Sequence, residues 1–348
     1  MKTRQQIFDE LEYTSAHDVD ERLVHEFYEE AFPHKSEFIC NNWKWLNHSD
    51  FFDFKYPQVV LHEGIVAGQQ SFTPYKALFN GKPYTGIWGQ DLFVLKKYRG
   101  TLLTKKLITD VGNVSDISFA FLNQNSFNLL TKRFDWHHVK ESYMHFFPLS
   151  PFRKKTWPLF IKTTSNTFSR FALKWFYKRF SVPVGDLSVE KVDKENIRSL
   201  ITKTDKLSPN TIYGIYDYEK LDWRLLQSPY SDSYRIFTFK SLGISIAINL
   251  YLAEKEKKLD LMYIPPGASQ REIRTIISSI AVWAINNNFH IFRYYTTDSS
   301  LSTFLKESLK SSLGNQLIMC YSKNQVLFEE LKKAKWSWQI IDSDLEQF

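Results

Sequence analysis

Trp88-Gly89-Gln90-Asp91-Leu92-Phe93-Val94-Leu95-Lys96-Lys97-Tyr98-Arg99-Gly100-Thr101-Leu102-Leu103-Thr104-Lys105-Lys106-Leu107 is the stretch on which the fold turns. Its first part, with the preceding Gly86 and Ile87, is apolar and β-rich, which predicts a buried strand over 86–95. In its second part Leu102, Leu103, Leu107, Ile108 and Val111 recur at helical spacing, so a helix is expected over 101–111. Between the two, Lys96-Lys97-Tyr98-Arg99-Gly100 makes a basic turn that ends in glycine. The first N–H groups of a helix lack partners within it, and its dipole is positive there. A strand, a basic turn and a helix start therefore form a site for an anion such as a phosphate. The same residues also suit an ordinary strand-to-helix turn with solvated lysines.

Working outward, Asp18 to Phe32 carries Val19, Leu23, Val24, Phe27 and Ala31 on one face, the pattern of a packed surface helix. Trp43, Trp45 and Leu46 follow as an aromatic patch, either core or the wall of a substrate groove. Gln58–His62 and Ile65–Thr73 read as strands around Glu63-Gly64, and Asn80-Gly81 signals a hairpin before the Trp88 stretch. Ile117–Asn123 then reads as a strand, Ser126–Phe134 as a helix, and Trp136–Phe147 as another strand. The order is β-α-β-β-β-α-β-α-β.

A chain of 348 residues is long for one core, so two domains are expected. Hydrophobic residues make up 43%, aromatics 16% and charged residues 24%, enough for sizeable cores in an ordinary soluble composition. The polar N-terminus predicts no secretory signal, and the longest apolar run, near 244–253, is too short to span a bilayer. Cys40 and Cys320 are the only cysteines, which argues against a disulfide framework or a thiolate zinc site and suits a reducing cytoplasm. A formal charge of +7 suits anionic ligands but does not by itself call for nucleic acid.

Val94, Tyr98-Arg99-Gly100 and the apolar helix after them resemble the acyl-CoA-binding segment of the GNAT (GCN5-related) N-acyltransferases. The loop of that family, R/Q-x-x-G-x-G/A, is matched here by Arg99-Gly100-Thr101-Leu102-Leu103-Thr104, with Leu102 where the family has glycine. A second segment, Phe121-Leu122-Asn123-Gln124-Asn125-Ser126, is similar to the family's F-P-N-x-x-S. The resemblance implies an α/β fold on a mixed sheet and acyl-CoA, most simply acetyl-CoA, as co-substrate. It implies that Leu92, Phe93 and Val94 face the pantetheine arm, that Arg99 to Thr104 hold the pyrophosphate, and that Asn123 and Ser126 flank the thioester where two parallel strands splay apart. Many members carry a tyrosine in the following helix that protonates the leaving thiolate; Thr131 stands at that position.

Pro148 to Pro183 holds eight basic residues, Arg153, Lys154, Lys155, Lys162, Arg170, Lys174, Lys178 and Arg179, and no acidic one, interleaved with aromatics. Phe160, Thr164, Phe168, Phe171 and Trp175 share a helical face. This suits an inter-domain linker helix, a polyanion-binding helix or a membrane-surface helix. Beyond it the chain repeats the first half weakly: Trp223-Arg224-Leu225-Leu226 echoes Trp43-Lys44-Trp45-Leu46, and strands and helices follow in parallel order. Its loop, Pro265-Pro266-Gly267-Ala268-Ser269, lacks the Arg-Gly pair, and the prolines remove two donors. The expected organisation is two tandem GNAT-like domains: residues 1–150 with the CoA motif, a basic aromatic linker helix at 151–184, and a degenerate copy at 185–348 whose Trp336-Ser337-Trp338-Gln339 tail closes on the first.

Direct acyl transfer needs a polarised carbonyl, a base for the acceptor and a proton for the thiolate. Asp91 is the candidate base, with His137 and Tyr143 as further catalytic candidates. His145 is weaker, and the nine histidines show no metal spacing. Trp43 and Trp45 are expected to wall the acceptor site. The expected acceptor is an amine or hydroxyl of a small molecule or sugar. The rivals are a tRNA-dependent aminoacyltransferase of the tandem-GNAT kind and a binding module without catalysis. No metal and no nucleic acid are expected, and a peripheral membrane contact through the linker helix is the remaining partner reading.

Overall fold

The computed structural model describes residues 3–15, 18–33, 58–122, 124–139, 141–149, 159–183, 185–201, 207–253, 256–315 and 317–342. Two compact units emerge. Unit 1 comprises Met1–Lys140, Gln227–Pro229 and Leu317–Ala334; unit 2 comprises Glu141–Leu226, Tyr230–Gln316 and Lys335–Phe348.

Unit 1 is built on a mixed sheet. Strands β1 (Glu12–Ser15), β2 (Gln58–His62), β3 (Ile65–Phe79) and β4 (Lys82–Val94) pair antiparallel in succession. β5 (Ile117–Leu122) joins β4 in parallel, and β15 (Leu317–Tyr321) and β6 (His137–Val139) complete the order β1-β2-β3-β4-β5-β15-β6. The β3–β4 hairpin turns through Asn80 and Gly81, at φ 50° and 75°. Two successive positive φ values match a turn to the twist of its strands, and Asn-Gly supplies them at least cost. The helices of this unit are α1 (Arg4–Asp9), α2 (Glu21–Ala31), α3 (Leu103–Val114), α4 (Gln124–Arg133) and α9 (Gln325–Leu331). α3 is the helix expected after the basic turn. Leu103, Leu107 and Ile108 are buried, the first two against Val24, Tyr28, Val66 and Val94. Each such side chain contributes about 1.5–3 kcal/mol on transfer from water.

Unit 2 holds a second mixed sheet in the order β14 (Ser312–Asn315), β7 (Tyr143–Pro148), β13 (Ile291–Thr296), β12 (Glu256–Tyr263), β11 (Ile244–Ala253), β10 (Tyr234–Phe239), β8 (Leu187–Lys191). Its helices are α5 (Leu159–Lys178), the short α6 (Tyr218–Leu221), α7 (Gln270–Asn286) and α8 (Ser299–Leu309). β9 (Thr211–Gly214) and β16 (Lys335–Ser337) form a parallel pair. In the sheet's interior Arg293 grips the buried Asp260 with two hydrogen bonds, Nε to Oδ1 at 2.6 Å and a terminal nitrogen to Oδ2 at 2.5 Å.

The expected cut at residue 150 separates strands that the structure groups otherwise. Trp136–Phe147 is not one strand. His137–Val139 ends at the edge of the unit 1 sheet, whereas Tyr143–Pro148 pairs antiparallel with β13 and β14 in unit 2. Phe147 there meets Phe292 at 5.2 Å between ring centroids. In exchange, Leu317–Tyr321, from the second half of the chain, lies between β5 and β6 in unit 1. Ile318, Met319 and Cys320 are all fully buried, as a run with no polar face requires of a strand covered on both sides. The helix expected as a linker belongs to unit 2, where Leu173, Phe176 and Phe180 pack on its core. Trp336, in the tail expected to close on the first domain, lies beside Ile212 in the β9–β16 pair.

Candidate functional site

The β4–β5 ladder runs from Gly86–Ile117 to Gly89–Ala120 and stops there, although β4 continues to Val94 and β5 to Leu122. Beyond Gly89 the two parallel strands diverge. On its other side β4 also leaves register. Gln69 faces Phe93 and Ser71 faces Gln90, so Asp91 and Leu92 stand against the single residue Gln70. Two residues opposite one make a β-bulge. Asp91 takes φ 50° within it, a conformation that asparagine and aspartate tolerate better than other side-chain-bearing residues.

A buried amide holds this bulge. Gln69 Nε2 donates to the Asp91 carbonyl at 3.2 Å and to Ser71 Oγ at 3.3 Å, while Gln69 Oε1 accepts from the Tyr28 hydroxyl at 2.6 Å. Gln69 and Tyr28 are fully buried. Neither figured among the expected site residues, though the Gln69-Gln70 pair is visible in the sequence.

The basic turn closes the same end of the sheet. Lys96–Tyr98 form a single 3-10 turn, and α3 begins after Leu102 with no carboxylate in its first turn. Thr101 Oγ1 accepts from the Leu103 N–H at 3.2 Å. The Arg99 guanidinium lies over the Phe93 ring at 5.2 Å, and its Nε donates to the Val94 carbonyl at 3.0 Å. That anchor ties the arginine to the diverging strand. Gly100 has φ 84°, and a Cβ there would stand 3.3 Å from Cζ of Arg4. A side chain at 100 is thus opposed by the backbone conformation, and the Arg4 guanidinium, at the end of a flexible side chain, would shift slightly to admit a Cβ. Arg4 comes from α1, far away in sequence, and no local pattern announces it. Leu102 is 48% exposed at the helix start.

Tyr98 is buried, and its hydroxyl meets Nδ1 of the buried His62 at 3.0 Å; His62 Nε2 meets Glu10 Oε2 at 3.2 Å. Glu10, His62 and Glu63 bring ligand atoms within 4.8 Å of one another. Both ring nitrogens already face protein oxygens, so the trio reads as a brace behind the loop.

The other expected site residues are more scattered. Ser126 lies in the first turns of α4, while Asn123, Trp43 and Trp45 fall outside the described residues. Thr131 donates its hydroxyl to the Phe127 carbonyl at 2.8 Å, the back-bonded geometry of a helical threonine rather than that of a proton donor. His137, Thr131, Trp136, Tyr321 and Lys332 line a cavity of about 540 Å³, none of whose walls comes from Asp91–Thr104. Tyr143 belongs to unit 2 and not to the sheet that carries Asp91 and His137, because β7 pairs there. His145, also in β7, is buried between Ser311 Oγ at 2.7 Å and Ser302 Oγ at 3.0 Å. Burial pushes its pKa down to about 4, which keeps the imidazole neutral near pH 7.

Unit 2 has its own pair of diverging parallel strands. The β12–β13 ladder ends at Asp260–Arg293, while β12 continues to Tyr263 and β13 to Thr296. Here the chain fills the opening itself. Gln339 Oε1 accepts from the Ile264 N–H at 2.6 Å, and its Nε2 donates to the Ile264 carbonyl at 2.9 Å, the two bonds a neighbouring strand would make. The Thr297 hydroxyl donates to the Trp336 carbonyl. The adjacent helix starts carry their own carboxylates. Ser269 and Glu272 form a capping box on α7, and Asp298 accepts from the N–H groups of Ser300 and Leu301 on α8. An anion meets negative charge at these helix starts and no carboxylate in the first turn of α3. Trp336, Trp338, Tyr294 and Asp298 border the remaining space of about 470 Å³.

No protein-family model matches the sequence, and no curated protein matches it. Solved structures do match the fold. They include a conserved protein of unknown function from Enterococcus faecalis V583, at 12% identity and TM-score 0.57 over 92% of this chain and 74% of that one. Saccharomyces cerevisiae N-myristoyltransferase, with myristoyl-CoA bound, matches at 14% identity and TM-score 0.57 over 92% and 86%. A GCN5-related N-acetyltransferase from Anabaena variabilis ATCC 29413 matches at 13% identity and TM-score 0.53 over 89% and 72%. The fold is therefore that of the GCN5-related and N-myristoyl transferases. At these identities the likeness concerns the fold alone.

Proposed function

We propose that the protein is an acyl-CoA-dependent acyltransferase in which unit 1 binds the acyl-CoA and the acyl group, acetyl or longer, passes directly to an amine or hydroxyl of a small molecule or sugar. The observation that carries this reading is the divergence of β4 from β5 beside an arginine-flanked helix start that holds no carboxylate. Bound acyl-CoA supplies an activated thioester. The chain supplies an extended edge at Leu92, Phe93 and Val94 for the pantetheine amides, as an added strand would use it. The bulge turns the backbone locally, so that N–H groups after Asp91 can polarise a carbonyl in the gap. Arg99, Arg4 and the first N–H groups of α3 suit a pyrophosphate. Asp91 is the carboxylate nearest to this backbone in sequence and the proposed proton acceptor for the attacking group. Unit 2, with its capped helix starts and filled strand opening, suits a degenerate copy that does not bind CoA.

Calorimetry with CoA tests the reading without knowledge of the acceptor. Arg99→Glu replaces a charge-assisted partner with a repulsive one, and an affinity loss of roughly a hundredfold or more is expected. No binding by the wild-type protein, or equal binding by the variant, would overturn the assignment.

A further inference from the structure

α5 runs antiparallel along α7 on unit 2. Arg170 donates to the Ile285 carbonyl at 2.6 Å near one end, and Arg274 stacks on Phe180 at 4.4 Å at the other. One side of α5 is committed to this contact: Tyr177 is buried and Leu173, Phe176 and Phe180 pack on the core. The opposite side carries Phe171 and Trp175, one turn apart and 69% and 62% exposed. Two large aromatics left in water on one face are unusual for an isolated surface. Their neighbours are Lys174, Lys178 and Arg179, the last lying over the Trp175 ring at 5.2 Å. No carboxylate occurs anywhere between Pro148 and Pro183.

A second exposed apolar pair stands nearby. Tyr251 and Leu252, 48% and 64% exposed, approach the tip of the β11–β12 hairpin beside Lys257 and Lys258. That tip adjoins the turn after α7, since the Lys257 N–H meets His290 Nδ1 at 3.2 Å. The same turn follows Ile285, which Arg170 holds. Leu252 thus stands near the turn that Arg170 holds, whereas Tyr251, its neighbour in the strand, projects from the other face of the sheet and Glu256 directly precedes the two lysines in sequence, so the α5 face is the continuous basic aromatic surface.

We propose that the Phe171–Trp175 face of α5 seats the protein on an anionic bilayer surface. Charge complementarity selects this occupant. Aromatic and aliphatic side chains enter the headgroup boundary while flanking lysines and arginines meet lipid phosphates, and an uninterrupted excess of basic residues suits a negatively charged leaflet. No helix of the described residues is long and apolar enough to cross a membrane, so the contact is peripheral. The inference stands independently of the acyl-transfer reading.

Co-sedimentation with vesicles tests it. The full chain should pellet with phosphatidylcholine vesicles containing about 30% phosphatidylglycerol and bind pure phosphatidylcholine at least roughly tenfold more weakly, with the difference shrinking as salt is raised. Phe171→Ala/Trp175→Ala and Lys174→Glu/Lys178→Glu should each weaken binding by roughly tenfold or more with an unchanged circular dichroism spectrum. Failure to pellet, indifference to phosphatidylglycerol, or full binding by both variants would overturn the proposal. So would retention of a polyanion such as tRNA by a protein that ignores vesicles.

Discussion

Replacing Gln69 with leucine tests whether the β4 bulge is held or merely tolerated. In the folded chain Gln69 makes three hydrogen bonds from a fully buried position, to the Asp91 carbonyl, Ser71 Oγ and the Tyr28 hydroxyl. Leucine is similar in volume and leaves no large cavity, so the cost is polar. It deprives the Tyr28 hydroxyl of this acceptor and the Asp91 carbonyl of this donor. Each loss at a buried group costs about 1–3 kcal/mol, which sums to about 2–4 kcal/mol once the better transfer of leucine is set against it. Asp91 at φ 50° adds about 1–2 kcal/mol of backbone strain that the amide no longer opposes. Urea unfolding of the full chain reads the stability change, and Tyr28→Phe is expected to cost less, about 1 kcal/mol. The double variant should cost less than the sum, because both substitutions break one network. CoA affinity should fall by roughly tenfold in Gln69→Leu, through a bulge no longer in place rather than through a lost contact. A Gln69→Leu variant within about 0.5 kcal/mol of wild type, or strict additivity of the pair, would refute the claim that this amide holds the bulge.

Asp91→Asn keeps a residue that tolerates positive φ but cannot take a proton, so acyl transfer should fall by roughly a hundredfold or more with CoA affinity unchanged; turnover retained by the variant removes Asp91 as the base. His145 predicts a pH dependence of stability. Its folded pKa is pushed down to about 4, against about 6.5 when unfolded, so the unfolded chain binds more protons in between. Stability should therefore decline as pH drops from about 6.5 towards 4, by up to about 3 kcal/mol, and His145→Gln should lack that component. Urea midpoints at both ends of the window decide it, and identical slopes for the two proteins would refute the assignment.

Local chemistry made the first half legible. Asn80-Gly81 can hardly be anything other than a tight hairpin, and the switch from β-rich to helical spacing across Lys96–Gly100 marks β4, the turn and α3. What stayed hidden depends on partners distant in sequence. A strand such as Leu317–Tyr321 advertises burial through Ile318-Met319-Cys320, but nothing in those residues says which sheet buries them. The same holds for Tyr143–Pro148, and with it for Tyr143, a catalytic candidate on the expectation that Trp136–Phe147 is one strand of the first domain. The bulge was hidden for a different reason. Asp91 signals charge in a strand, which reads as a base or a solvated edge, and its backbone role appears only when Gln69 and Tyr28 are seen to hold it. Arg4 carries no signal at all, because six residues of helix near the N-terminus look alike whether or not they meet Gly100.

The two pairs of diverging parallel strands show how one backbone arrangement acquires opposite chemistry. Divergence leaves extended backbone groups in need of partners, and buried groups of that kind are satisfied almost without exception. In unit 2 the satisfaction is internal: Gln339 supplies both bonds to Ile264, and Glu272 and Asp298 occupy the nearby helix starts. Such an opening rejects an anion and has no extended edge to offer it. In unit 1 the corresponding helix start has no carboxylate, the Arg4 guanidinium lies against Gly100 while that of Arg99 is anchored on the Val94 carbonyl, and β4 continues past the end of its ladder with β5. Leu102 removes the ease of approach that glycine gives, yet a leucine keeps its N–H and this one projects into solvent. The selection between the two openings therefore rests on what caps the helices and fills the gap, not on the sheet that creates it. Under the proposed function, that criterion assigns a long anionic ligand with amide groups along its arm to unit 1 rather than to unit 2.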